Sequence, residues 1–262
     1  MINYLGKFII GIFKETLEII ILFFNTLGWI FFGFLRRKPV KLESIFYQMV
    51  FAGVRSVLIV FFITIFTGIV LAMQTAYQLE KMGAVIYVAS LVAISLCREL
   101  SPVLTSLVVA GRVGSAIAAE LGTMKVSEQI EALDIMGIDK NRFLVAPRFI
   151  ALFFMLPCLT ILGNLSGILG GFIVGTTSLN INPYLYIQTT FKYLKLKDIF
   201  TGLTKSFVFA MIIALVSCFE GLNTKGGAEG VGKATTRSVV ISFILILLFD
   251  CIITAIFYFS KL

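Results

Sequence analysis

The sequence predicts an all-α integral membrane protein, and three observations lead to that fold class. Of its 262 residues, 59% are hydrophobic and 14% are charged, whereas a soluble domain carries about 25% charged residues. Apolar windows of about 20 residues, the length that a helix needs to cross a bilayer, recur along the chain. The alternation typical of barrel strands is absent from the sequence, so helices must satisfy the backbone polar groups in lipid.

The first 44 residues predict an N-terminal elbow helix that lies in the membrane interface. Residues 5–35 are apolar, but Lys14, Glu15 and Glu18 interrupt the run and favour an amphipathic segment. A sixth crossing is the open alternative, and it would place the N-terminus outside without altering the other spans. A basic stretch from Arg36 to Lys41 follows, with Pro39 as a helix breaker.

Five spans are predicted in residues 45–262, at about 54–76, 84–110, 148–176, 203–223 and 237–259. Lys and Arg concentrate in the connections 36–50, 112–147 and 222–237, so the positive-inside rule places these on the interior face and the C-terminus outside. Lys192, Lys195 and Lys197 oppose this orientation. The net charge of +8 is spread over the connections, which indicates topology rather than nucleic-acid binding.

The third span carries a stripe of glycines at intervals of four residues. They are Gly163, Gly167, Gly171 and Gly175. This spacing puts them on one side of a helix, where a missing side chain lets another backbone approach closely. The partner is either a neighbouring helix of the same chain or a second copy of the chain.

The connection between the second and third spans predicts a short helix over residues 128–136. Ser127 is a candidate N-cap, and Gly137 is a candidate C-cap. Such a helix is about 13 Å long and cannot cross a bilayer. Its acidic edge is formed by Glu128, Glu131 and Asp134, and its apolar edge by Ile130, Leu133 and Met136. The acidic edge favours a protein partner with Lys or Arg in its groove over an interfacial helix on anionic lipid.

The sequence offers little for catalysis, metal binding or nucleotide binding. It contains no histidine, and its four cysteines lie far apart without a C-x-x-C pair, so neither a disulfide nor a metal site is expected. The segment from Gly227 to Lys233 begins like a phosphate-binding loop. Ala234 then stands where Ser or Thr would hold Mg²⁺, and a membrane span precedes the segment instead of a strand.

Ionisable residues occur at membrane depth, where they cost about 2.5–3.5 kcal/mol on insertion scales and tend to face a cavity or a partner. Arg98 and Glu99 are consecutive, so an α-helix would point one into a cavity and the other toward a neighbouring helix. Pro102 loosens the helix just after them. Asp250 lies near the middle of the last span, and Lys205 opens the fourth.

Three collinear segments then carry a family resemblance: "RELSPVLTSLVVAGRVGSAIAAELGTMKVSEQIEALDIMGID" from Arg98, "PRF" at 147–149 and "NTKGGAEGVGKATTRSVV" at 223–240. Together with Gly68 and the "AMQ" ending at Gln74, they resemble the MlaE permease family over roughly residues 45–260. That family provides the membrane subunits of ABC-type lipid transporters in bacterial inner membranes, with relatives in the plastid envelope.

The resemblance implies a permease subunit that moves phospholipid or a related lipid as a homodimer. It implies two ATPase subunits on the interior face, which bind ATP and Mg²⁺, an MCE-domain lipid-binding protein on the exterior face, and no cofactor on this chain. The ATPase would dock on a coupling helix through Glu128, Glu131, Leu133, Asp134 and Met136. The expected location is the plastid (chloroplast) inner envelope membrane, with a bacterial inner membrane as the alternative.

The resemblance also suggests a lipid headgroup cavity between the two protomers. Its candidate residues are Arg98, Glu99, Asp250, Gln74 and Lys205. The alternative is that the charged residues form buried pairs that only fix helix register. An ion-coupled secondary transporter is the second functional hypothesis, although the sequence shows no repeat of its first half in the second. A membrane scaffold would leave the intramembrane charges unexplained.

Overall fold

The computed structural model describes residues 2–32 and 40–259, with side chains over 14–31 and 40–259. Arg36, Arg37, Lys38 and Pro39 of the predicted basic stretch lie outside the described residues. Within the described ranges, helices alternate with short connections and no strand is present.

Nine helices follow one another in the described part of the chain. They are α1 (Ile2–Phe32), α2 (Leu42–Ala52), α3 (Val57–Glu80), α4 (Val85–Val126), α5 (Gln129–Ile135), α6 (Asn141–Thr177), α7 (Pro183–Tyr193), α8 (Leu196–Leu222) and α9 (Gly227–Phe259). The stretch Leu42–Glu80 and the helices α4, α6, α8 and α9 are long and apolar enough to cross a membrane. The prediction of an all-α membrane protein with five spans is therefore confirmed, whereas the division into 1–44 and 45–262 stays a prediction.

The helix that contains the predicted second span does not end near residue 110, because α4 continues to Val126. The fold accommodates both the charge and the glycines of the "GRVG" sequence within this helix. Arg112 donates a 2.6 Å hydrogen bond to Ser56 Oγ. A Cβ on Gly114 would lie 2.8 Å from Ser217 Oγ, so this glycine is a close packing point against α8. The predicted long connection is consequently reduced to short turns around α5.

Helices α3 and α6 are in close backbone contact, and two glycines make this possible. A Cβ on Gly68 would lie 2.0 Å from the carbonyl oxygen of Gly167, and a Cβ on Gly170 would lie 2.2 Å from that of Ile65. The two backbones therefore touch directly, which is the role of small residues between membrane helices. Thr64 Oγ1 and Ser166 Oγ share a 2.5 Å hydrogen bond across the same contact.

The predicted glycine stripe of α6 faces neighbours in the same chain. Next to Gly163, Gly167 and Gly171 lie Ser101, Leu96 and Val92 of α4, in that order along the antiparallel helix. Gly175 lies under the ring of Tyr186 in α7. These contacts give the intramolecular explanation of the stripe.

Helix α1 docks on the end of the bundle that carries α5, called the α5 end below; the opposite end, which carries α7, is the α7 end. Glu15 forms an ion pair with Arg237 of α9. Phe23 packs against Phe149 near the start of α6, with ring centroids 6.1 Å apart. The described side chains of α1 thus lie along the α5 end, which is the predicted interior face. This arrangement suits the predicted elbow, and its position relative to the bilayer stays a prediction.

Candidate functional site

The charged sequence Arg98-Glu99 lies in a π-helical turn of α4, over Leu96–Leu100. Pro102 has no N–H group, so it cannot donate to the carbonyl of Arg98. The N–H of Ser101 bonds the carbonyl of Leu96, five residues back, instead of one four residues back. Such a turn inserts one extra residue into the helix and is frequent at functional sites.

Arg98 and Glu99 both reach α8, so the prediction that only one of them contacts a neighbouring helix was wrong. Arg98 Nη1 lies 3.8 Å from Asp198 Oδ1, and Glu99 forms an ion pair with Lys205. The prediction assumed α-helical spacing, but the wider π turn brings consecutive side chains closer in angle. Sequence reasoning missed Asp198. Its only signal is a separation of seven residues from Lys205, which places both on one face of α8.

Lys205 is the centre of a charge cluster that joins α4, α8 and α9. Its ammonium group pairs with Glu99, lies 2.8 Å from Asp250 Oδ1 and donates a 2.7 Å hydrogen bond to Thr254 Oγ1. Sequence reasoning missed Thr254, although it follows Asp250 by four residues and so shares its face of α9. The structure therefore brings together three of the predicted cavity residues, and we call Glu99, Lys205, Asp250 and Thr254 the Lys205 cluster.

The Lys205 cluster lies inside the bundle rather than at a helix end. Lys205 was predicted to open the fourth span, but α8 begins at Leu196, which puts Lys205 about 14 Å further along the helix. Its side chain is 0% exposed, whereas those of Glu99 and Asp250 are 35% and 22% exposed. A buried ion costs several kcal/mol in desolvation, so Lys205 depends on the two carboxylates for its charge.

Gln74, the remaining predicted cavity residue, does not join the cluster within the chain. It is exposed on α3, while Ala72 and Ala76 on the opposite face of that helix are buried. No contact between Gln74 and a cluster residue occurs in the described part of the chain. A cavity lined by both Gln74 and the Lys205 cluster would therefore need a surface from a second molecule.

The short helix predicted over 128–136 occurs as α5, with a different start. Ser127 is not its N-cap, because its hydroxyl donates back to the carbonyl of Thr123, 2.8 Å away. Glu128 takes the N-cap position instead, with a left-handed φ of 59°. At the other end Gly137 has φ 71°. The N–H groups of Gly137 and Ile138 bond the carbonyls of Asp134 and Leu133, which closes the helix as a Schellman motif.

The exposed surface of α5 is partly acidic and partly apolar. Ile130 is buried and anchors the helix, and Leu133 packs partly against the core. Glu128 and Asp134 are exposed, whereas Glu131 pairs with Lys125 of α4, and the hydrogen bond from Lys125 lowers the pKa of Glu131. Met136, predicted on the apolar edge, is exposed together with Ile135, which sequence reasoning missed.

Comparison with known proteins identifies the family of this chain. A family model described as Permease MlaE matches residues 45–256. The chain belongs to the MlaE permease family. Both the Lys205 cluster and α5 lie inside the matched range, so the two features are parts of the permease rather than additions to it.

Relatives of this MlaE permease occur both in bacteria and in a plant. A probable ABC transporter permease protein of Rickettsia typhi is 42% identical over 256 residues, which cover 98% of this chain and 97% of that protein. The intermembrane phospholipid transport system permease protein MlaE of Haemophilus influenzae is 35% identical over 98% of this chain and 97% of its own length. The chloroplastic protein trigalactosyldiacylglycerol 1 of Arabidopsis thaliana is 36% identical over 80% of this chain and 60% of its own length.

The segment that resembles a phosphate-binding loop forms the first two turns of a helix in this MlaE permease. Residues 227–233 open α9, and helix α8 precedes them. Lys233 pairs with Glu229 at 2.7 Å, and both side chains are more than 70% exposed. The strand and loop that hold a nucleotide phosphate in such motifs are therefore not formed here.

Proposed function

We propose that this MlaE permease is the membrane subunit of an ABC-type transporter that moves phospholipid or a related lipid, driven by ATP hydrolysis on a partner subunit. The Lys205 cluster carries the proposal, because ionisable groups inside a membrane bundle are costly and mark substrate paths. The names of two relatives agree with a lipid substrate, since one is part of a phospholipid transport system and the other is named after a galactolipid.

The exposed carboxylates of the Lys205 cluster form the part that meets the lipid headgroup. Glu99 and Asp250 keep partly open side chains, while Lys205 behind them is closed off. Two protomers that face each other would enclose these carboxylates in a cavity, to which Gln74 and Arg98 would add polar groups. Exposed apolar side chains of α9, among them Ile244, Leu248 and Ile252, are available for contact in such a homodimer.

Helix α5 is the surface on which the ATPase docks in this proposal. Glu128 and Asp134 suit a groove with Lys or Arg, and Ile135 and Met136 supply apolar contacts beside them. The ion pair between Lys125 and Glu131 ties α5 to α4. Because α4 runs without interruption from Val126 back to Glu99, a displacement of α5 shifts one wall of the Lys205 cluster.

The remaining partners follow from the same arrangement. ATP and Mg²⁺ bind to the ATPase subunit, and an MCE-domain lipid-binding protein meets the α7 end on the exterior side. The bilayer is the inner membrane of a bacterium or the inner envelope membrane of a plastid. Relatives from Rickettsia and from a chloroplast suit these two locations.

Co-purification in mild detergent from the native membrane tests the ATPase partner. The variant Glu128→Lys/Asp134→Lys reverses the two carboxylates of α5 that are not engaged by Lys125. The control variant Glu43→Lys/Glu80→Lys makes the same charge change at exposed positions elsewhere. We expect an ATPase with a complete phosphate loop to co-purify with wild type and control but not with the α5 variant. Absence of an ATPase from all three preparations would contradict the proposal and favour the ion-coupled alternative.

A further inference from the structure

The Lys205 ammonium group is closed off from a ligand by burial and by its partners. A lysine carries three N–H donors. Two of them form hydrogen bonds, to a Glu99 oxygen and to Thr254 Oγ1 at 2.7 Å, and the ammonium group also lies 2.8 Å from Asp250 Oδ1 in an ion pair without hydrogen-bond geometry. Since its side chain is also 0% exposed, Lys205 is unsuited to binding a lipid phosphate in this arrangement.

The carboxylates of the same cluster keep acceptor capacity and face outward. A carboxylate offers about four lone-pair sites. Asp250 Oδ1 contacts Lys205, but no donor reaches Asp250 Oδ2 in the described part of the chain. Glu99 and Asp250 are also the partly exposed members, at 35% and 22%. A headgroup that reaches the cluster therefore meets hydrogen-bond acceptors.

The net charge of the cluster also disfavours an anionic headgroup. Glu99 and Asp250 carry two negative charges against the single positive charge of Lys205. The neighbouring Arg98 does not reverse the sign, because Asp198 lies 3.8 Å away and balances it. In the low dielectric of a membrane bundle, one uncompensated negative charge repels an anionic headgroup strongly.

We infer that the Lys205 cluster selects lipids whose headgroups donate hydrogen bonds and carry no net negative charge. An ethanolamine ammonium group and the hydroxyls of a neutral sugar headgroup both meet that description, whereas phosphatidic acid does not. This inference rests on the proposed lipid permease function and specifies its substrate class.

A headgroup series with identical acyl chains tests the selection on the wild-type protein. Phosphatidylethanolamine, monogalactosyldiacylglycerol, phosphatidylcholine and phosphatidic acid compete with a fluorescent lipid bound to the purified full-length chain in detergent. Phosphatidylcholine keeps the positive charge of the ethanolamine lipid but has no N–H donor. We expect it to compete about tenfold less well than the better of the two donor lipids, because hydrogen bonds to carboxylates are strong. Phosphatidic acid should compete least.

Amide variants show whether the two carboxylates cause the preference. Glu99→Gln and Asp250→Asn keep the shape of each side chain and remove one negative charge, so the preference should fall to about twofold. Glu229→Gln removes a carboxylate from the exposed start of α9 and should leave the preference unchanged. A preference that persists in both cluster variants would overturn the inference.

The outcomes separate this inference from the proposed function. If no lipid binds to the wild-type protein, the proposed function fails and the inference with it. If lipids bind equally, or phosphatidic acid binds best, the inference alone is wrong. Competition by only one of the two donor lipids supports the inference and identifies the donor, an ammonium group or a sugar hydroxyl.

Discussion

The direct contact between α3 and α6 predicts that Gly68→Ala is strongly destabilising. The added Cβ would lie 2.0 Å from the carbonyl oxygen of Gly167 and 2.8 Å from its carbonyl carbon. The helices would have to separate by on the order of 1 Å to restore normal contact distances. Overpacking costs about 1–3 kcal/mol. We expect the upper end of this range, because the obstacle is backbone rather than a movable side chain.

Thermal unfolding in detergent measures this effect through the buried thiols of Cys97 and Cys218. A thiol-reactive fluorophore labels them as the protein unfolds, while the exposed Cys158 and Cys251 set the baseline. A loss of about 3 kcal/mol lowers the midpoint by about 6–12 °C in a protein of this size.

Gly232→Ala is the matched control, because no atom lies within 4 Å of its added Cβ. Its midpoint should stay the same or rise, since alanine favours an exposed helix over glycine by up to about 1 kcal/mol. A wild-type midpoint for Gly68→Ala would refute the direct backbone contact between the two helices.

Three further predictions concern the charge cluster and α5. Lys205→Met should lower the free energy of unfolding by about 3–5 kcal/mol, because it leaves Glu99 and Asp250 without a counter-charge, and adding Glu99→Gln and Asp250→Asn should restore much of the loss in the same thermal assay. Because the folded-state pKa of Glu131 is lowered, the attachment of α5 to α4 should be fully present above the ordinary glutamate pKa and lost as the pH falls through the lowered folded-state pKa. Hydrogen exchange of the α5 amides should show this loss in wild type and no such pH dependence in Lys125→Met. Gly137→Ala should destabilise the end of α5 by about 1 kcal/mol, since its φ is 71°, and should raise exchange there without changing exchange in α6.

The five spans could be predicted because long apolar runs have only one stable solution in lipid. Their ends were less predictable, since the sequence hides which polar residues are satisfied by other helices. Arg112 looked like the end of a span, yet Ser56, 56 positions earlier in the chain, accepts its hydrogen bond. The glycines of α6 were recognisable from their spacing, but their partners on α4 and α7 required the tertiary structure.

Three residues of the Lys205 cluster could be predicted from the sequence, but the contacts between them could not. Ionisable residues in apolar runs are conspicuous, so Glu99, Lys205 and Asp250 could be selected from the sequence. Their mutual contact depends on the π turn before Pro102, and helical spacing alone predicts the wrong direction for one of Arg98 and Glu99. Asp198 was missed because it lies near the start of α8, where a polar residue is not unusual. Thr254 was missed because it carries no charge.

ATP-dependent lipid movement by the reconstituted complex tests the central claim most directly. Vesicles that contain the permease and its co-purifying ATPase are loaded with a fluorescent phosphatidylethanolamine, and wild type is compared with Glu99→Gln and with the control Glu229→Gln. We expect wild type and control to move lipid only when ATP is added, and Glu99→Gln to retain the ATPase but move lipid at least about tenfold more slowly. Unchanged movement in Glu99→Gln, or movement driven by an ion gradient without ATP, would contradict the central claim.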